Sequence, residues 1–98
     1  MLLHLVLFKW KPGTTPEQVA VLDKAMAELP GQIPELKDLK FGSDLGFREG
    51  NASWALAATF EDKAGWHAYQ VHPAHQAVVQ NIALPMMESR NAIQIPLP

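Results

Sequence analysis

Residues 2–10, Leu-Leu-His-Leu-Val-Leu-Phe-Lys-Trp, constrain this chain more than any other segment. They are short for a helix and run into Pro12-Gly13, so they predict a strand. Strand side chains alternate between faces. His4, Val6, Phe8 and Trp10 fall on one side, and Leu3, Leu5, Leu7 and Lys9 on the other. Both sides are mostly apolar, so the strand calls for cover on both.

The following residues supply one layer of that cover. Thr15-Pro16-Glu17-Gln18 has the capping residue, N1 proline and capping-box glutamine of a helix start. Val19, Leu22, Met26 and Leu29 continue at helical spacing until Pro30-Gly31, where the helix is expected to stop. Residues 36–43 predict a second strand, with Leu39 and Phe41 on one face. Asp44 to Asn51, with two glycines, predicts a loop. Residues 53–60 predict a third strand, with Trp54, Leu56, Ala58 and Phe60 on one face and Ala55, Ala57 and Thr59 on the other. Asp62 can cap a short helix reaching about Val71. Pro73 opens another, along which His75, Val78, Val79 and Ile82 share a face until Pro85 bends or ends it. Residues 89–95 predict a last strand, with Asn91, Ile93 and Ile95 together.

The order is β-α-β-β-α-β with the second helical region split. It predicts an α+β fold: a ferredoxin-like antiparallel sheet with helices on one face, forming one domain over residues 1–98. The other sheet face would then be bare. Leaving Leu3, Leu5 and Leu7 wet would forgo roughly 4–9 kcal/mol, comparable with the whole stability of a small domain. A second copy placed sheet to sheet removes that cost, so the expected assembly is a homodimer enclosing a dimeric α+β barrel.

Composition narrows the function. Apolar residues make up 48% of the chain, enough for a core. The absence of cysteine excludes disulfides, zinc ribbons and thiol nucleophiles. A net charge of −2 with scattered Lys and Arg offers no basic footprint, so neither nucleic acid nor an anionic membrane is an expected partner. No apolar run reaches transmembrane length. The N-terminal run lacks a basic n-region and a small-residue cleavage site, which makes the cytoplasm the expected compartment. No GxSxG, P-loop or GxGxxG is present.

Several segments resemble the stress-responsive A/B barrel (Dabb) family. They are His4 to Gly13, Leu29-Pro30-Gly31-Gln32-Ile33-Pro34, Phe41-Gly42-Ser43-Asp44, and Glu88-Ser89-Arg90. The most specific is Tyr69-Gln70-Val71-His72-Pro73-Ala74-His75, followed by Val78-Val79. The resemblance covers essentially the whole chain in order. It implies the ferredoxin-like fold and the dimeric barrel. One plant member of the family is a cofactor-free polyketide cyclase performing an aldol cyclisation. Its catalytic tyrosine and histidine correspond to Tyr69 and His75, and its strand-one histidine to His4. A further pocket tyrosine of that enzyme corresponds to Met26. The Tyr69 and His75 positions also belong to the general family pattern.

Two functions therefore stand side by side. The first is a non-enzymatic or ligand-holding dimer with a stress-related or accessory role, its ligand a small apolar or polyketide-like molecule. The second is a cofactor-free, aldol-type cyclase or lyase. In the second, a buried neutral His75 removes a proton beside a carbonyl, Tyr69 orients it and stabilises the oxyanion, and His4 binds a second carbonyl. Trp54, Phe60, Trp66, Met26 and His72 are the expected pocket lining. Each has a plainer reading: His4 as a satisfied core histidine, His72 as a helix-start residue, Tyr69 and His75 as a buried hydrogen-bonded pair, and the tryptophans as core or dimer interface. His72 and His75 would lie about 60° apart around a helix, but no third ligand is evident, so no metal site and no cofactor are expected.

Overall fold

The computed structural model describes residues 1–98. Strands β1 (Leu2–Trp10), β2 (Asp38–Ser43), β3 (Trp54–Phe60) and β4 (Met87–Pro96) form one sheet in the order β2-β3-β1-β4. All three pairings are antiparallel. This is the expected ferredoxin-like sheet, and the doubly apolar strand lies inside it. Opposite His4, Val6 and Phe8 stand Ala58, Leu56 and Trp54 on one side, and Gln94, Ala92 and Arg90 on the other.

Helix α1 (Pro16–Gln32) begins with the predicted capping box. Thr15 Oγ1 accepts from the Gln18 N–H at 3.2 Å, and Gln18 Oε1 accepts from the Thr15 N–H at 2.8 Å. The helix does not stop at Pro30 but runs to Gln32. Pro30 lies in the last turn, where few intrahelical bonds remain to be lost. Leu29 and Ile33, both fully buried, hold that turn against the core. Helix α2 (Lys63–Val71) starts where Asp62 Oδ1 accepts from the Gly65 N–H at 2.9 Å. Helix α3 (Pro73–Val78) continues through a π-helical turn, Val79–Ala83, into a short α4 (Leu84–Met86). Pro85 has no N–H for the next helical bond, and the wider turn just before it accommodates the break.

The helices cover one face of the sheet. Val6, Phe8, Trp54, Leu56, Ala58 and Phe60 pack there against Leu22, Met26 and Leu29 of α1 and against Tyr69 and Val78. A polar strut joins the layers: the Trp54 indole N–H donates to Asp23 Oδ1 at 2.9 Å. The opposite face carries Leu3, Leu5 and Leu7 beside Ile93 and Ile95 in register. Leu7, Ile93 and Ile95 are 44%, 54% and 37% exposed, so one copy of the chain supplies only one of the two covering layers. No helix is long and apolar enough to cross a membrane.

Candidate ligand site between sheet and helices

A cavity of about 240 Å³ lies between the helix-covered face of the sheet and the helices above it. Its lining is mostly apolar, including Val6, Phe8, Leu22, Leu56 and Val78. The polar exceptions come from three places: His4 on β1, Arg90 and Gln94 on β4, and Trp66, Tyr69, Gln70 and His75 on α2 and α3.

His4 is 5% exposed and fully engaged at one nitrogen. Its Nδ1 meets the Trp66 indole N–H at 3.3 Å and the Gln94 side-chain nitrogen at 2.9 Å. An indole N–H can only donate, so Nδ1 must be the lone-pair nitrogen and Nε2 carries the ring proton. Burial, with smaller contributions from His75 and Arg90, lowers the pKa of His4 from 6.5 to about 4. At neutral pH this ring is an uncharged donor through Nε2. Phe60, Trp66 and Tyr69 surround it, with ring centroids 6.1–6.5 Å away.

Tyr69 and His75 meet differently from expectation. Their ring centroids are 4.0 Å apart at an interplanar angle of 38°. The expected buried hydrogen bond between them is not formed: the Tyr69 hydroxyl and His75 Nδ1 are both buried without a partner. The chain ends α2 at Val71 and restarts at Pro73, and that turn lays the His75 ring against the face of Tyr69. Burial raises the pKa of the Tyr69 phenol above its ordinary value. It lowers that of His75; the Gln70 carbonyl opposes the shift, while Arg90 and His72 add to it. That carbonyl accepts from Gln76 Nε2 at 3.3 Å, and His75 Nδ1 makes no hydrogen bond of normal geometry with it.

Of the predicted lining, Met26, Trp54 and Trp66 border the cavity together with His4, Tyr69 and His75. His72 and Phe60 do not, and the expected lining is corrected there. His72 Nδ1 accepts from the Ala74 N–H at 3.1 Å and caps α3. Phe60 is fully buried and packs on Tyr69 at 5.1 Å, behind the cavity wall. Gln70, Arg90 and Gln94 also line the cavity, and their chemistry had not been singled out in the sequence. The signal for the last two was available: alternation that sets Asn91, Ile93 and Ile95 on one face of β4 sets Arg90, Ala92 and Gln94 on the other.

The sequence model of the Stress Responsive A/B Barrel Domain, Dabb, matches residues 2–96. This chain belongs to the Dabb family. A Dabb protein of Arabidopsis thaliana, stress-response A/B barrel domain-containing protein HS1, is 31% identical over 74 residues, which span 74% of this chain and 68% of that protein. Olivetolic acid cyclase of Cannabis sativa is 30% identical over 74 residues, spanning 74% of this chain and 73% of the cyclase. Among solved structures, a dimeric ferredoxin-like protein of unknown function from Thermobifida fusca is 42% identical. It superposes with a TM-score of 0.91 over 98% of this chain and 90% of that one. The Dabb fold and the dimeric character of its structural relatives thus accord with the sheet described above.

Proposed function

We propose that this Dabb chain works as a homodimer in which each subunit holds one small, largely apolar molecule in the cavity beside His4, Tyr69 and His75. The observation that carries the reading is the pair of unpartnered polar atoms, Tyr69 Oη and His75 Nδ1, on residues lining a largely apolar space. A buried polar atom without a partner costs about 1–3 kcal/mol. A ligand offering a carbonyl or hydroxyl group to these atoms offsets that cost, while its apolar remainder fills the cavity. The homodimer is supported by the uncovered Leu7, Ile93 and Ile95 and by the dimeric relative from Thermobifida fusca.

Native mass spectrometry of protein purified from a metabolically rich host tests both parts at once. The expected species is a dimer carrying a defined organic molecule. A monomer, or a dimer whose cavity takes up no small carbonyl compound even when soaked with a panel of them, contradicts the reading.

A second reading, cofactor-free acid–base catalysis, is favoured by the neutral His75 packed against Tyr69. His75 would take a proton from the carbon next to a carbonyl, and the Tyr69 hydroxyl would donate to the oxyanion that forms. The Nε2–H of His4 would polarise a second carbonyl. This would be an aldol-type cyclisation or lyase step; one relative is named a cyclase. Met26, in place of a pocket tyrosine, leaves one polar contact out. His75→Ala and Tyr69→Phe should each abolish turnover of a carbonyl substrate while the dimer persists; activity retained in both removes this reading.

A further inference from the structure

Arg90 is the only Asp, Glu, Lys or Arg residue lining the cavity. It lies on β4 opposite Phe8, on the helix-covered face of the sheet, yet is itself exposed. No carboxylate neutralises it, since the ion pair of this chain joins Lys40 to Asp38 at 2.7 Å. Arg90 also borders a shallow surface cleft of about 190 Å³ that shares Gln70, His75 and Val79 with the cavity. It therefore marks the place where the apolar space opens onto a polar mouth. With His4 and His75 both held toward the neutral form, the guanidinium is the one full charge at the site.

We infer that the cavity selects an organic acid, with the apolar body inside and one carboxylate at the mouth paired with the Arg90 guanidinium. The inference deepens the ligand-holding reading and rests on it. A guanidinium offers a planar fork of donors that matches a carboxylate. Its place beside apolar walls strengthens the attraction relative to open water. Gln70 borders both the cavity and the cleft, and its uncharged amide can add a hydrogen bond to the same head.

The test compares phenylacetate with phenylacetamide, which share one apolar body and differ in charge. Binding is read from the quenching of tryptophan fluorescence and from the NMR shift of the Trp66 indole N–H, which lies at the cavity. The acid should bind about tenfold more tightly than the amide or better, as expected for hydrogen bonds to a charged group. Arg90→Gln should erase that preference by weakening acid binding to the level of the amide. Equal binding of acid and amide to the unaltered protein, or a preference that survives Arg90→Gln, overturns the inference and leaves the ligand-holding reading standing. If neither compound shifts the Trp66 resonance, the cavity reading itself fails and the inference with it.

Discussion

Tyr69 and His75 lie ring against ring, 4.0 Å apart, and neither the phenol hydroxyl nor the imidazole Nδ1 has a hydrogen-bond partner. A pair built only for stability would be expected to satisfy its polar atoms. Removing the hydroxyl therefore separates two roles. Tyr69→Phe should change folding stability by no more than about 1 kcal/mol, and in the stabilising direction if the orphaned hydroxyl is the larger effect. Ligand affinity or turnover should fall by about tenfold or more. Urea denaturation beside a binding titration checks this. A variant that loses about 2 kcal/mol of stability but binds normally would show the hydroxyl to be structural.

His4 predicts a particular dependence on pH. The folded chain resists protonation of this ring until about pH 4, whereas the unfolded chain takes the proton near 6.5. Unfolding is thus favoured by proton uptake between those values. The contribution should be fully present above about pH 6.5, decline as the pH falls, and be gone below about pH 4. For His4 alone the change is on the order of 3 kcal/mol. His75 acts in the same sense, because its pKa is also lowered. Urea midpoints measured across this range should rise with pH and then level off, and His4→Gln should flatten the rise. A protein equally stable at both ends of the range would refute this account of His4.

The same histidine has a fixed tautomer. Nitrogen-15 NMR should find the proton on Nε2 of His4, because Nδ1 accepts from Trp66. Trp66→Phe removes that donor and opens room around the ring. The His4 pKa should then move back up toward its ordinary value, by about one unit if the donor and local burial contribute comparably. A spectrum with the proton on Nδ1 would mean that the Trp66 indole does not donate to this ring, since an indole N–H cannot accept.

The bare sheet face should govern association. Ile93 is more than half exposed in a single chain and lies opposite Leu5 across β1 and β4. In a two-fold dimer any substitution counts twice. Ile93→Asp should weaken association by about 100-fold or more, given about 1.5–3 kcal/mol per buried aliphatic side chain. Sedimentation velocity at micromolar concentration should show monomer. An undisturbed dimer would place the interface on another surface.

The Trp54–Asp23 strut offers a test of the packing that supports one wall of the cavity. Asp23→Ala leaves the indole N–H of a 2% exposed side chain without its acceptor. The expected loss is about 1–3 kcal/mol. Replacing both partners, Trp54→Phe with Asp23→Ala, should cost less than the two single changes together, because no orphaned donor remains. Strict additivity in that cycle would mean the bond contributes nothing.

Much of this protein is legible in its sequence. Period-two alternation in residues 2–10 and 53–60 set the faces of β1 and β3. The caps at Thr15 and Asp62 located two helix starts, and the apolar Leu3, Leu5 and Leu7 required a second covering layer. These are local properties, decided by backbone geometry and side-chain solvation within a few residues. Pro30 was misleading because a proline's effect depends on what holds the turn around it, and here Leu29 and Ile33 are anchored by the distant sheet. Tertiary structure alone decided that Tyr69 meets His75 ring to ring without a hydrogen bond, and that Phe60 does not line the cavity. It also brought Gln94 to His4, ninety residues apart, and set Arg90 at the cavity mouth. Strand register and the angle between two helices determine those contacts, and both are settled only when the whole core packs.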